Sequence, residues 1–155
     1  MAERRRKFQD RQKVDVKGRV LLPTPMRQDL SDMQIEGVVT TFHPMFRALW
    51  VFTPDGWEQW VAAFRGRAAI DSRLARMQHA LLAGACDVRL DSAGRILVPA
   101  HQRERAGLVR DVVIHDVDDR WEIWDIDCWT AYEKVLLESF PSIEAEFFRD
   151  LGGPK

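Results

Sequence analysis

Two related stretches of sequence decide the fold. The first reads Asp15-Val16-Lys17-Gly18-Arg19-Val20-Leu21-Leu22-Pro23, and the second reads Asp91-Ser92-Ala93-Gly94-Arg95-Ile96-Leu97-Val98-Pro99. Every matched pair is 76 positions apart, and Arg27 and Arg103 continue the match at the same spacing. A repeat of this kind has to be recognised first, because missing it misassigns the whole fold.

A second block recurs at a spacing of 72 positions. Val51-Phe52 matches Ile123-Trp124, Trp57 matches Trp129, and Trp60 matches Tyr132. Two blocks that recur in the same order indicate an internal duplication, with a four-residue difference in length between them. We therefore expect two copies of one structural module.

Each copy begins with a predicted β-hairpin. In the first copy, Lys13 to Val16 and Arg19 to Leu22 are the predicted strands, with Lys17-Gly18 as a tight turn between them. Gly18 supplies the positive φ that such turns need, and Gly94 occupies the same place in the second copy.

The residues around each turn have predicted structural roles. Asp15 and Asp91 are placed to accept hydrogen bonds from the N–H groups of the turns. Pro23 and Pro99 end the second strands because proline cannot donate to a β-ladder.

Further elements follow in each copy. The predicted strands are Val38 to Thr41, Leu49 to Phe52, Val112 to His115 and Trp121 to Trp124. Short helical turns carry Arg27 and Arg103. Thr53 and Asp125 are placed to cap the helices that follow the strands. Between the copies, Ile70, Leu74, Met77 and Leu81 are spaced along one face of a helix that ends at Gly84.

Composition limits the class of protein. The chain has 155 residues, 46% of them hydrophobic, which is enough for one real core. Its two cysteines do not suggest a disulfide framework, so both are expected to be reduced. The apolar runs are far shorter than a bilayer span, and the basic start is not followed by a signal-peptide core, so we expect a cytoplasmic protein.

The net charge of −1 hides a strong polarity along the chain. Residues 1–27 carry nine Lys or Arg against three Asp or Glu, whereas residues 111–150 carry twelve acids against three bases. A basic face is therefore possible despite the neutral total. The tract Arg4-Arg5-Arg6-Lys7 is either a solubilising tail or a source of sequence-independent affinity for a polyanion.

The paired Asp-x-x-Gly-Arg hairpins, each followed by an apolar pair and proline, resemble the signature of the MraZ family. The resemblance implies AbrB-like swapped-hairpin modules, assembly into a ring-shaped homo-oligomer, and binding to direct repeats in double-stranded DNA upstream of the bacterial division and cell-wall gene cluster. It also implies association with the nucleoid. In that family the hairpin Asp and Arg are tied to DNA binding, and they match Asp15, Arg19, Asp91 and Arg95.

The candidate DNA-binding residues are Asp15, Lys17, Gly18, Arg19, Arg27, Asp91, Gly94, Arg95 and Arg103. A guanidinium at a hairpin tip can contact phosphates or pair with the major-groove edge of guanine. The structural alternative is that each arginine only pairs with its neighbouring aspartate. Lys17 adds a phosphate contact that Ala93 cannot make, so we expect the first hairpin to bind DNA more strongly.

Other kinds of site have weak support. Asp116, Asp118 and Asp119 resemble a crude cation site without regular ligand spacing. The four histidines are scattered without zinc spacing, and no catalytic motif is recognised, so we expect neither a metal, a cofactor nor an enzyme.

The sequence thus predicts an α+β fold with two tandem swapped-hairpin modules that form a β-barrel-like core with peripheral helices. The expected divisions are residues 8–66 for the first module, 67–84 for a connecting helix, 85–140 for the second module and 141–155 for a tail helix. The predicted function is sequence-specific DNA binding in transcription regulation. The alternatives are an AbrB-like antitoxin or transition-state regulator, and a ring-forming module that binds proteins.

Overall fold

The computed structural model describes residues 9–152. The predicted roles of the basic tract at residues 4–7 fall outside these residues. The chain divides into two compact units, one ending at Asp125 and the other beginning at Ile126. The first unit contains both hairpins.

Eight strands and five helices make up the described part of the chain. The strands are β1 (Gln9–Lys13), β2 (Arg19–Leu21), β3 (Gly37–Phe42), β4 (Ala48–Phe52), β5 (Cys86–Arg89), β6 (Arg95–Leu97), β7 (Asp111–Asp116) and β8 (Trp121–Asp125). The helices are α1 (Thr24–Asp32), α2 (Pro54–Ala68), α3 (Ser72–Ala83), α4 (Ala100–Ala106) and α5 (Ile126–Asp150).

The strands of the two copies are exchanged within one sheet. The six-stranded antiparallel sheet has the order β1-β7-β8-β4-β3-β5, so the first strand of each copy pairs with the third strand of the other. The second strands, β2 and β6, pair with each other in a separate two-stranded sheet. Exchanging the copies reproduces the same order, which means that the first unit has a pseudo-twofold axis.

The axis passes between the two central strands, β4 and β8. Trp50 lies opposite Glu122 in their register, and these residues occupy equivalent positions of the duplication. Leu49 pairs with Ile123 and Val51 with Trp121, which are symmetric contacts about that point. The spacing of 72 positions found in the sequence is therefore the signature of this axis.

Alternating side chains of the sheet enter two separate apolar clusters. One face carries Leu49, Ile114 and Ile123 into a core with Val20 and Ile96 from the two-stranded sheet. On the other face, a smaller cluster contains side chains of β3, β4 and α3, with Trp57 and Trp60 of α2 packed against it. The hairpins are thus fixed on the side of the larger core.

The α+β class is confirmed, but the sheet is open. Strands β1 and β5 are its two edges and are not paired with each other, so the barrel-like closure expected from sequence is not present. Thr53 caps α2 as predicted, because its hydroxyl accepts from the N–H of Gly56 at 3.0 Å. Ile70 precedes α3 and is 90% exposed, so the apolar face predicted for that helix begins only at Leu74.

The second unit is one helix rather than two. The sequence predicted a helix ending at residue 140 and a separate tail helix from residue 141, whereas α5 continues through Pro141 to Asp150. Proline removes a backbone donor but does not always end a helix. No helix among residues 9–152 is long and apolar enough to cross a membrane.

Candidate nucleic-acid interface

The first hairpin tip is organised around the carboxylate of Asp15. Its Oδ1 accepts hydrogen bonds from the backbone N–H groups of Lys17 and Arg19, both at 2.9 Å. Its Oδ2 accepts from Nε of Arg19 at 2.8 Å. One side chain therefore fixes both the turn and the orientation of the arginine at its end.

The second tip has the same geometry. Asp91 Oδ1 accepts from the N–H groups of Ala93 and Arg95 at 2.9 Å, and Oδ2 accepts from Nε of Arg95 at 2.8 Å. The side chains of Arg19 and Arg95 are 32% and 36% exposed. The duplication thus preserves each interaction and not only the residue types.

The turns are one residue longer than the sequence suggested. Asp15 donates its N–H to the carbonyl of Arg19, and Gly18 donates to the carbonyl of Asp15, so the loop consists of Val16, Lys17 and Gly18. This is the three-residue hairpin loop in which glycine occupies the left-handed position. Gly18 has φ +87° and Gly94 has φ +83°, which confirms the predicted positive φ.

Each tip is braced by the other copy of the module. Leu22 of the first copy donates its N–H to the carbonyl of Gly94 at 3.1 Å, and Val98 of the second copy donates to the carbonyl of Gly18 at 3.0 Å. The side chains of the following helices are exchanged in the same way. Arg103 lies over Gly18 and Arg27 lies over Gly94. We call each hairpin tip, together with the arginine that the other copy places over it, a composite tip. The first contains Asp15, Lys17, Gly18, Arg19 and Arg103, and the second contains Asp91, Gly94, Arg95 and Arg27.

The tip arginines keep their terminal nitrogens available. Among residues 9–152, the side chains of Arg19 and Arg95 donate hydrogen bonds only through Nε, which leaves their terminal NH₂ groups without a protein acceptor. A guanidinium held in this way presents a planar fork that suits a phosphate or the O6 and N7 atoms of guanine. The predicted aspartate–arginine pairing is present, and it is compatible with contact to a ligand.

The pKa values of the two tip aspartates are lowered. Hydrogen bonds from the backbone N–H groups of Arg19 and Arg95 lower the pKa of Asp15 and Asp91, respectively, below the ordinary value of an aspartate. The contribution of each carboxylate to stability is therefore complete above its ordinary pKa and is lost only as the pH falls through the lowered value. The tips keep their charge pattern near neutral pH.

The outer residues of the loops distinguish the two tips. Val16 is fully exposed at the first tip, followed by the exposed Lys17. Ser92 and Ala93 are the corresponding exposed residues of the second tip. Both tips have an arginine in the same geometry, but only the first loop carries a further cation, Lys17.

The sequence did not predict a buried polar cluster around Glu122. Glu122 accepts from Nε1 of Trp50 and of Trp124, both at 2.9 Å, and lies 3.3 Å from Nε2 of His43 and 3.5 Å from Nε2 of His115. Burial raises the pKa of Glu122, but the interactions with His115, His43 and Trp124 together outweigh burial and lower the pKa overall. The sequence feature that could have indicated this cluster is the acidic Glu122 within the otherwise apolar run from Trp121 to Trp124. In the structure, Glu122 lies opposite Trp50 at the pseudo-twofold axis.

Two other predictions concern the acidic loop and metal binding. Asp116 accepts from the N–H of Asp118 at 2.8 Å, and Asp119 pairs with Arg120 at 2.7 Å. Among residues 9–152, no group of three or more His, Cys, Asp or Glu side chains is placed to hold a metal ion. These aspartates therefore have local structural partners.

Comparisons with known proteins place the chain among bacterial regulators. The family model described as "MraZ protein, putative antitoxin-like" matches residues 81–150. The transcriptional regulator MraZ of Marinomonas sp. (strain MWYL1) is 32% identical over 140 residues, covering 89% of this chain and 93% of the relative. The protein of the same name from Pseudomonas putida (strain GB-1) is 30% identical over the same coverage. That from Acetivibrio thermocellus is 33% identical over 129 residues, covering 81% of this chain and 87% of the relative.

Proposed function

The chain belongs to the MraZ family, and on that premise we propose that it is a sequence-specific DNA-binding regulator of transcription that contacts duplex DNA with its two hairpin tips. Its relatives carry the name transcriptional regulator. The observation that carries the proposal is the pair of partly exposed arginines, Arg19 and Arg95, each oriented by an aspartate in the same geometry.

The electrostatics of the tips agree with a polyanionic partner. Arg19, Arg27, Arg95 and Arg103 converge on the two loops, against the two acids Asp15 and Asp91 that orient the tip arginines. Lysine and arginine side chains that neutralise phosphates release counterions and supply sequence-independent affinity. The arginine forks would supply discrimination between bases.

The proposal includes assembly of the chain into a homo-oligomer. Helix α5 has no buried residue, and a stripe along it is apolar and exposed at Phe140, Ile143 and Phe147, with the exposed Leu151 directly after its end. Large exposed apolar patches mark association surfaces. A ring-shaped homo-oligomer would present several hairpin pairs to the direct repeats of an operator, upstream of the division and cell-wall genes, and would place the protein at the nucleoid.

The test compares the two arginines in a DNA-binding titration. Duplexes selected from a randomised pool by the wild-type chain are the specific probes, and scrambled duplexes of equal length are the reference. Arg19→Ala is expected to reduce specific affinity by about 5- to 150-fold, since a good arginine–guanine contact is worth roughly 1–3 kcal/mol. Arg95→Ala is expected to reduce it less. Fluorescence anisotropy over a salt series gives both values.

Arg65→Ala is the matched control, because Arg65 is exposed on α2 away from the hairpins. It removes the same charge and should leave specific affinity within about twofold. Wild-type affinity in Arg19→Ala would reject the hairpin as the DNA-reading element. Recovery of no preferred duplex would favour the alternative in which the tips bind a protein, and affinity for DNA that did not fall with salt would do the same.

A further inference from the structure

The two composite tips differ in what holds the arginine contributed by the other copy. Arg27, which lies over the second loop, is fixed at both ends of its guanidinium group. Its Nε donates to the carbonyl of Leu22 at 2.9 Å, and one terminal NH₂ group donates to the hydroxyl of Thr24 at 2.9 Å. Two of the five N–H donors of Arg27 are therefore held by acceptors of its own copy, which fixes the orientation of its guanidinium.

Arg103, which lies over the first loop, is not held in this way. It makes no side-chain hydrogen bond or ion pair with any of residues 9–152, and it is half-buried against Gly18. The sequence explains one of the two missing bonds, because Ala100 stands where the first copy has Thr24. Alanine has no hydroxyl to accept from the guanidinium. The residue types do not explain the other missing bond, from Nε to a main-chain carbonyl. Among residues 9–152, the side-chain donors of Arg103 therefore have no acceptor.

We propose that Arg103 binds a DNA phosphate beside the first hairpin, whereas Arg27 is a structural brace of the second. The proposal rests on the DNA-binding function and adds an assignment of roles that sequence equivalence does not predict. Lys17 of the first loop, Arg19 directly after it and Arg103 over Gly18 place three cations at this tip. The backbone-binding site of the first hairpin is thus supplied by both copies of the module.

The second tip lacks this group. Ser92 and Ala93 carry no charge at its loop, and two of the five N–H donors of Arg27 are held by protein acceptors. These two bonds fix the position of the guanidinium, so a movement of Arg27 towards a phosphate would break them, and that loss would offset the gain. Phosphate contacts should therefore concentrate at the first hairpin even though both tip arginines have equal geometry.

The test exchanges the residues at the equivalent positions Thr24 and Ala100. Ala100→Thr offers Arg103 the hydroxyl that Arg27 has, and Thr24→Ala removes it from Arg27. Both positions are exposed at the start of a helix, so neither change should disturb the core. The readout is the slope of log affinity against log salt for a selected duplex, measured by fluorescence anisotropy together with Arg103→Ala and Arg27→Ala.

Each phosphate contact contributes about one unit to that slope. Arg103→Ala and Ala100→Thr are each expected to reduce the slope by about one unit, Arg27→Ala is expected to leave it unchanged, and Thr24→Ala is expected to leave it unchanged or raise it. Thermal unfolding checks that Arg27→Ala is folded, and the two helix-start variants test the idea without removing either arginine.

The outcomes separate this inference from the proposed function. Specific binding by the wild-type chain with equal slope losses for Arg27→Ala and Arg103→Ala would overturn the assignment and leave DNA binding intact. An unchanged slope in both Arg103→Ala and Ala100→Thr would overturn it as well. Absence of salt-dependent DNA binding by the wild-type chain would instead reject the proposed function on which the assignment depends.

Discussion

At the scale of single residues, one carboxylate determines the structure of each tip. Asp15 uses one oxygen for the backbone of the loop and the other for the guanidinium of Arg19. The first role requires an acceptor, and the second requires a second acceptor in the same plane. Asparagine retains the first role and loses the second, because its amide nitrogen only donates.

Asp15→Asn is therefore expected to keep the loop but release Arg19. The ratio of specific to non-specific DNA affinity should fall by roughly tenfold, within the range of one lost bidentate base contact. Non-specific affinity should be unchanged or higher, since a negative charge is removed beside the phosphates. Paired anisotropy titrations with selected and scrambled duplexes measure the ratio. Asp32→Asn, at an exposed position of α1, is the control, and an unchanged ratio in Asp15→Asn would contradict the orienting role.

The sequence was most informative at this scale. The aspartate, glycine and arginine of each hairpin were predicted with their contacts, because those contacts are local and span four residues. The free state of Arg103 could not be predicted, because its surroundings combine Gly18 and Ala100, which are distant in the sequence.

At the scale of elements, α4 is joined to the other copy by a buried glutamine. Gln102 accepts from the hydroxyl of Thr40 at 2.7 Å and donates to the carbonyl groups of Thr40 and Gly84 at 3.0 and 2.9 Å. Met26 is the equivalent residue of α1 and is also fully buried, but it has no polar partner to satisfy. The two helices therefore use different chemistry at the same position of the fold.

Gln102→Met is expected to lower the free energy of unfolding by about 2 kcal/mol, because a buried acceptor that loses its donor pays the full cost of desolvation. Urea unfolding at fixed protein concentration measures the change. Adding Thr40→Val removes the orphaned hydroxyl, so the double variant should lose less than the sum of the single changes. Gln28→Met, exposed on α1, should stay within about 0.5 kcal/mol of wild type. If Gln102→Met lowered the free energy of unfolding by as little as Gln28→Met, the hydrogen bonds of Gln102 would not stabilise the contact between α4 and the other copy.

The kinds of element were largely predictable from the sequence, but their partners were not. The four strands predicted from the sequence agree with β3, β4, β7 and β8 within a residue or two. Pairing of β1 with β7 and of β5 with β3 is a tertiary contact between copies, which neither periodicity nor turn residues encode. The family resemblance, rather than the residue pattern, supplied the expectation of exchange.

At the scale of the whole molecule, the exposed apolar side chains are the reason to expect association. The chain has six tryptophans and eight phenylalanines. Trp50, Trp121 and Trp124 are buried and none of the six tryptophans is exposed, whereas Phe140, Phe147 and Phe148 are exposed. Among the described residues, the largest group of exposed apolar side chains lies on α5 and consists of aliphatic and phenylalanine side chains.

The wild-type chain is expected to form an oligomer larger than a dimer, and Phe140→Ser with Phe147→Ser should reduce its mass. Both side chains are more than half exposed, so these changes remove apolar contact between copies without emptying a core. Light scattering at micromolar concentration reports the mass. Val16→Ser removes a fully exposed apolar side chain at a hairpin tip and should leave the mass unchanged. Wild-type mass in the double variant would exclude this helix as the association surface.

Because the two copies exchange strands within one chain, the two tips stay together when the protein is diluted. A reading unit assembled from two separate chains would come apart as its concentration fell, because its stability would depend on mass action. Here β1 with β7 and β5 with β3 are joined by one continuous backbone. The pair of tips therefore persists in a single molecule at any concentration, and each tip was free to acquire its own residues without losing its partner.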